Sequence, residues 1–123
     1  MPTLALWLFA TGNAMSFYFP TAEEMGRHTI FPGVSIRTFA ADKMLVSMVE
    51  LAPHSVVEEH SHPHEQMGMV LQGRLVFTIG GEEKTLQAGD VFRIPGNVPH
   101  KVIALDEPAR AIDAFYPVRE EYL

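Results

Sequence analysis

Apolar and polar residues alternate along most of this chain in short runs, and Gly or Pro interrupts the pattern every few residues. A period of two is the mark of strands that bury one face. It predicts strands at Val34–Phe39, Met44–Leu51, Val56–Glu59, Gln66–Gln72, Arg74–Ile79, Lys84–Gln87, Val91–Ile94, His100–Leu105 and Arg110–Tyr116. Gly80-Gly81 between two such runs is a hairpin signal, because two glycines accept the positive φ of a primed turn. Ala88-Gly89-Asp90 and Pro95-Gly96-Asn97 read as further turns. The one helical signal is short: Thr21 caps a turn, Glu24 completes a capping box and Gly26 ends it. So many short strands at close spacing predict an all-β sandwich or barrel. Met44–Leu51 is apolar on both faces, with Leu45, Val49 and Leu51 on one and Met44, Val46 and Met48 on the other. A doubly apolar strand in a small barrel predicts a covering partner, and hence a homodimer.

Length and composition narrow this picture. A chain of 123 residues that is 47% hydrophobic and 20% charged has the size and core of one domain. Residues 1–33 are expected to form an N-terminal arm with the capping turn, and residues 34–123 the barrel. Without cysteine there is no disulfide framework, no thiolate metal site and no cysteine nucleophile. A net charge of −6 argues against nucleic-acid binding. The apolar stretch Leu4–Ala10 is too short to span a bilayer, and no Lys or Arg precedes Arg27 as a secretion signal would require. The expected location is therefore the cytoplasm, with no membrane association. The stretch reads either as an arm or strand covering a sheet edge, or as residues preceding a natural start at Met15.

Candidate chemistry lies in His60-Ser-His62-Pro-His64-Glu65-Gln66, which holds half of the chain's six histidines. On extended backbone His60 and His62 point to the same face, where two imidazoles can share a cation. A surface His pair is the plainer reading and carries equal weight on that spacing alone. Gln66 is polar at a strand position where an apolar residue is expected. His100 enters an apolar strand alone, as either a satisfied core residue or a ligand. His64 suits a loop or rim position better than a ligand role, and Glu65 a solvated position or an outer partner to a ligand.

The pattern His60-x-His62-xxx-Gln66-xxxxxx-Gly73 resembles the first motif of the cupin superfamily, with Gln where Glu is usual. Gly89-xxxxx-Pro95-x-Asn97-xx-His100 resembles the second, with Asn97 where Gly is usual, and Asn tolerates the same left-handed turn. The resemblance implies a cupin β-barrel of the jelly-roll type. It also implies a divalent metal ion (zinc, nickel, manganese or iron) held by His60, His62, Gln66 and His100. Three imidazoles and an amide leave the cation's charge unreduced, which favours Lewis-acid work on an oxygen-rich anion.

The tail Asp113-x-Phe115-x-Pro117-x-Arg119-Glu120 resembles that of the KdgF group of pectin-degradation cupins. That implies conversion of 4,5-unsaturated monouronates to their linear 5-keto-4-deoxy form. Asp113 would be the general acid and base, Phe115 would pack on the sugar ring, and Arg119 would clamp the carboxylate. Alternation leaves open whether Asp113 or its neighbours Ile112 and Ala114 face inward. Two other functions compete: a non-catalytic sensor of a small molecule, and a metal-dependent dioxygenase.

Overall fold

The computed structural model describes residues 16–123, so the expectations for Leu4–Ala10 and for a start at Met15 lie outside the described residues. Ten strands follow one another: β1 Gly26–Phe31, β2 Val34–Ala40, β3 Leu45–Leu51, β4 Val56–His60, β5 Glu65–Gln72, β6 Arg74–Ile79, β7 Glu82–Gln87, β8 Val91–Ile94, β9 His100–Ala104 and β10 Ala109–Tyr116. They form two antiparallel sheets, one in the order β1-β2-β3-β10-β5-β8 and the other β4-β9-β6-β7. The apolar sides of the two sheets face each other across one core, as the alternation predicts for a sandwich or barrel and in the jelly-roll form that the resemblance implies. Among the described residues, no helix is long and apolar enough to cross a membrane.

Strands β2 to β10 fall where the pattern places them. The Gly80-Gly81 hairpin joins β6 to β7 with φ of 56° and 83°. The turn near Thr21 is realised as a 3-10 turn at Ala22–Glu24, with the Glu24 carboxylate accepting from the Thr21 amide at 3.1 Å. One element departs from the expectation. The pattern predicts no strand between Gly26 and Pro32, yet β1 runs there, paired with β2 from Gly26↔Thr38 to Phe31↔Val34. Arg27, His28 and Thr29 give it little apolar character. Pairing to β2 and the packing of Ile30 and Phe31 on the core hold it in place.

Register orders the interior of the larger sheet into rungs. Ile36, Val49, Ala111 and Val70 stand side by side on β2, β3, β10 and β5. Beyond them, at one end, Val34, Leu51 and Ala109 form another apolar rung. Towards the other end come Thr38, Ser47, Asp113 and Gly68, and then Leu45, Phe115 and Gln66. The facing sheet follows the same gradient. Leu75 pairs with Ala104, Phe77 with Val102, and Ile79 with His100, which itself pairs with His60. Polar chemistry is thereby collected at one mouth of the barrel.

Candidate metal centre

His60 closes β4 and His100 opens β9, directly opposite each other, with ring centroids 4.3 Å apart. A register shift in β4 between Val57 and His60 aims the first histidine at the second. His62 lies two residues on, with its ring 5.0 Å from that of His100. Its loop is fixed from the opposite motif. Asn97 adopts φ 66° and donates its amide to the His62 carbonyl at 2.7 Å. A Cβ on Gly96 would stand 2.5 Å from the Pro63 carbonyl oxygen. The Pro95-Gly96-Asn97 turn thus serves to dock the first histidine segment against the second.

One ligand atom from each of His60, His62 and His100 lies within 4.8 Å of the others. Each ring is held from behind by a backbone carbonyl: Nδ1 of His60 donates to Glu58 O at 2.8 Å, that of His62 to His64 O at 3.1 Å, and that of His100 to Val98 O at 2.8 Å. Carbonyl oxygens only accept, so every Nδ1 carries the proton and every Nε2 presents a lone pair. Nε2 of His100 is buried with no partner, and Nε2 of His62 faces Oε1 of Gln66 at 3.1 Å. Two acceptors facing each other, beside an orphaned third, form a donor set that suits a divalent cation. Protonation is a poor alternative. Burial, then the charges of Arg119 and His100, lower the His62 pKa from 6.5 to about 4. Burial lowers His100 as well, with His60 and Arg119 adding to it.

The other expected residues gather around this centre. Asp113 is half-buried, and it borders the interior cavity together with Ala111 and Phe115, the direction that alternation leaves open. Its Oδ1 is buried and unpartnered. Burial pushes its carboxyl pKa from 3.8 up to about 7, against the lowering effects of the Gln66 amide and the Arg119 charge. Gly68 makes room for it, since a Cβ there would meet Asp113 Oδ1 at 2.7 Å and Phe92 at 2.5 Å. Phe115 is 3% exposed and stands edge-on to His62, with centroids 5.8 Å apart. The Arg119 guanidinium lies over Tyr122 at 4.1 Å and Phe115 at 5.1 Å, and its Nε donates to Glu121 Oε1 at 2.7 Å. His64 is half-buried and Glu65 exposed; His64 contributes the carbonyl that orients His62.

Two residues of the pocket escape sequence reading. Ser47 is buried between Leu45 and Val49 on the inward side of β3, and a polar residue inside an otherwise apolar alternation is the signal for it. Tyr122, in the 3-10 turn Glu120–Tyr122, packs over the core from a tail with no periodicity to read. A cavity of about 50 Å³ lies beneath the centre, bordered by Ser47, His60, Asp113, Phe115 and Tyr122 among others. A larger groove of about 760 Å³ crosses the outer side of the sheet at Met67, Met69, Val91 and Ile112, away from the histidines.

The family described as the cupin domain matches residues 47–115, more than half of the chain. The chain belongs to the cupin family. Among solved cupins, KdgF from Halomonas sp. is 28% identical with a TM-score of 0.75, over 84% of this chain and 96% of that one. An RmlC-like cupin from Shewanella frigidimarina is 25% identical with a TM-score of 0.79, over 88% of this chain and 97% of the other. The H2HPP isomerase of Bacillus subtilis is 33% identical over 79 residues. Those residues cover 57% of this cupin and 34% of that enzyme, so the match spans about a third of the relative's length.

Proposed function

We propose that this cupin is a metal-dependent isomerase of small sugar acids that opens 4,5-unsaturated monouronates to their linear 5-keto-4-deoxy form. The observation that carries this reading is the inward Asp113 carboxyl, held near neutrality in pKa beside Gln66 and the three histidines. A sensor needs no such group. The likeness to KdgF supports the substrate class, and the likeness to an isomerase supports proton transfer over dioxygen chemistry.

The conversion is a balanced rearrangement. A proton leaves the C1 hydroxyl, the bond from C1 to the ring oxygen breaks as the aldehyde forms, and the released enolate takes that proton back at C4 to become the 5-ketone. Nothing is oxidised and no co-substrate is consumed. Asp113, an inward carboxyl beside the ligand residues, serves as acid and base. A divalent cation held by His60, His62, His100 and Gln66 would supply Lewis acidity toward the sugar's oxygens. Arg119 receives the carboxylate, and its contact with the Glu121 carboxylate supports that role. Phe115 backs Arg119 and His62 as a rigid wall. The cavity of about 50 Å³, bordered by Asp113, Phe115 and Tyr122, receives one arm of a hexuronate.

Metal-loaded protein given 4,5-unsaturated galacturonate should abolish the absorbance of its enol double bond, and chelation should stop the reaction. Unchanged absorbance with fully loaded protein would refute the isomerase reading.

We also read the outer face of the larger sheet as the seat of a second copy. Met67, Met69 and Leu71 stand exposed along β5 beside the outward Val46, Met48 and Ile112, a continuous apolar surface. Sedimentation should give a dimer for the wild type and a monomer for Met69→Asp; a wild-type monomer would refute it.

A further inference from the structure

The rung Thr38–Ser47–Asp113–Gly68 is polar, whereas the rung on one side of it, Ile36–Val49–Ala111–Val70, is hydrocarbon. A hydroxyl inside a strand's buried face is costly unless it is hydrogen-bonded. Thr38 meets that requirement by donating to the Tyr122 carbonyl. Ser47 does not. It is 1% exposed, and its Oγ is buried without a partner. Directly across the β3–β10 ladder, Asp113 Oδ1 is in the same state. Both residues border the cavity of about 50 Å³ beneath the histidines. Packing accounts for neither orphan, and the space before them admits one or two small polar groups.

We propose that Ser47 positions the substrate by binding one of its hydroxyl groups inside the barrel, with Asp113 as the second partner of that same hydroxyl. This rests on the reading of the pocket as a sugar-acid site and adds a specificity residue to it. The chemistry selects an alcohol. A hydroxyl donates to Asp113 Oδ1, an acceptor whether or not Oδ2 carries the proton, while accepting from Ser47, which satisfies both orphans at once. A carboxylate offers no proton to Asp113 and is drawn to Arg119 instead. Ser47 therefore reads the hydroxyl end of the ligand, and Arg119 the acidic end.

The test is calorimetric titration of the metal-loaded wild type and Ser47→Ala with D-galacturonate and its monodeoxy derivatives. Wild type should bind one derivative about tenfold more weakly than the parent sugar, the cost of one lost hydrogen bond. Ser47→Ala should bind the parent about tenfold more weakly and no longer distinguish it from that derivative. Its metal-free melting temperature should equal or exceed the wild type's, because the fold loses a hydroxyl that it does not satisfy. The proposal is overturned if Ser47→Ala keeps the discrimination, if it melts lower and weakens every ligand alike, or if the wild type binds no galacturonate. A wild type that shows the Ser47-dependent pattern but leaves the unsaturated uronate intact would overturn the isomerase reading alone.

Discussion

The two ends of the barrel are built from the same strands and obey different rules. At one end Val34, Leu51, Val70, Leu75, Ala104 and Ala109 are each at most 3% exposed, and all are hydrocarbon. Burial is the whole reason for their identity. At the other end the inward positions carry Ser47, Gln66, His100 and Asp113, and three of these present a buried atom with no partner. Such groups lower stability, so their presence calls for a ligand. Changes at the apolar end should therefore cost stability and spare chemistry in whatever remains folded, and changes at the polar end should do the reverse.

The sharpest contrast is Asp113→Asn. Turnover of the unsaturated uronate should fall between 10² and 10⁴-fold, as loss of a general acid and base does, with metal content unchanged. The pH dependence of stability follows from the raised pKa. Folded Asp113 keeps its proton to about pH 7, whereas the unfolded chain releases it near the ordinary 3.8. Stability contributed by that proton is present below the unfolded value and lost as pH rises to about 7. Denaturant midpoints of the metal-free wild type should fall across that range relative to Asp113→Asn, and parallel curves would contradict the burial of the carboxyl. At the other end, Leu86→Ala, a core change outside the lining of the cavity, should lower stability by about 2–5 kcal/mol. Metal affinity and turnover per folded molecule should stay at the wild-type level. If Leu86→Ala weakens the metal site as well, the two ends are not separable. Smallest is Gln66→Glu. It should retain the metal and lose about tenfold in turnover, because a carboxylate offsets charge that the amide leaves intact. Equal or higher turnover would contradict the role given to the neutral ligand.

How much of this was legible in the chain differs between the same two regions. Apolar alternation places β2 to β10 because burial and strand period act together there. His60, His62 and His100 were legible as a resemblance, and their meeting in space depends on the His60↔His100 pairing and on the Asn97 turn. The direction of Asp113 was not legible. Its strand is compatible with either face, and the choice is made by neighbours far along the chain, Ser47 on one side and a Gly68 that leaves room on the other. Strand β1 and Tyr122 escape for a related reason: both are held by what they pack against, and their own residues show no period.

The claim on which the rest depends is that the three histidines form a metal centre. Titration of the metal-free protein with zinc or nickel, followed by calorimetry, tests it in the wild type and in His100→Ala. The account predicts one ion per wild-type chain, and an affinity weaker by roughly 100-fold or more in a variant that still folds. The same stoichiometry and affinity in both proteins would contradict it.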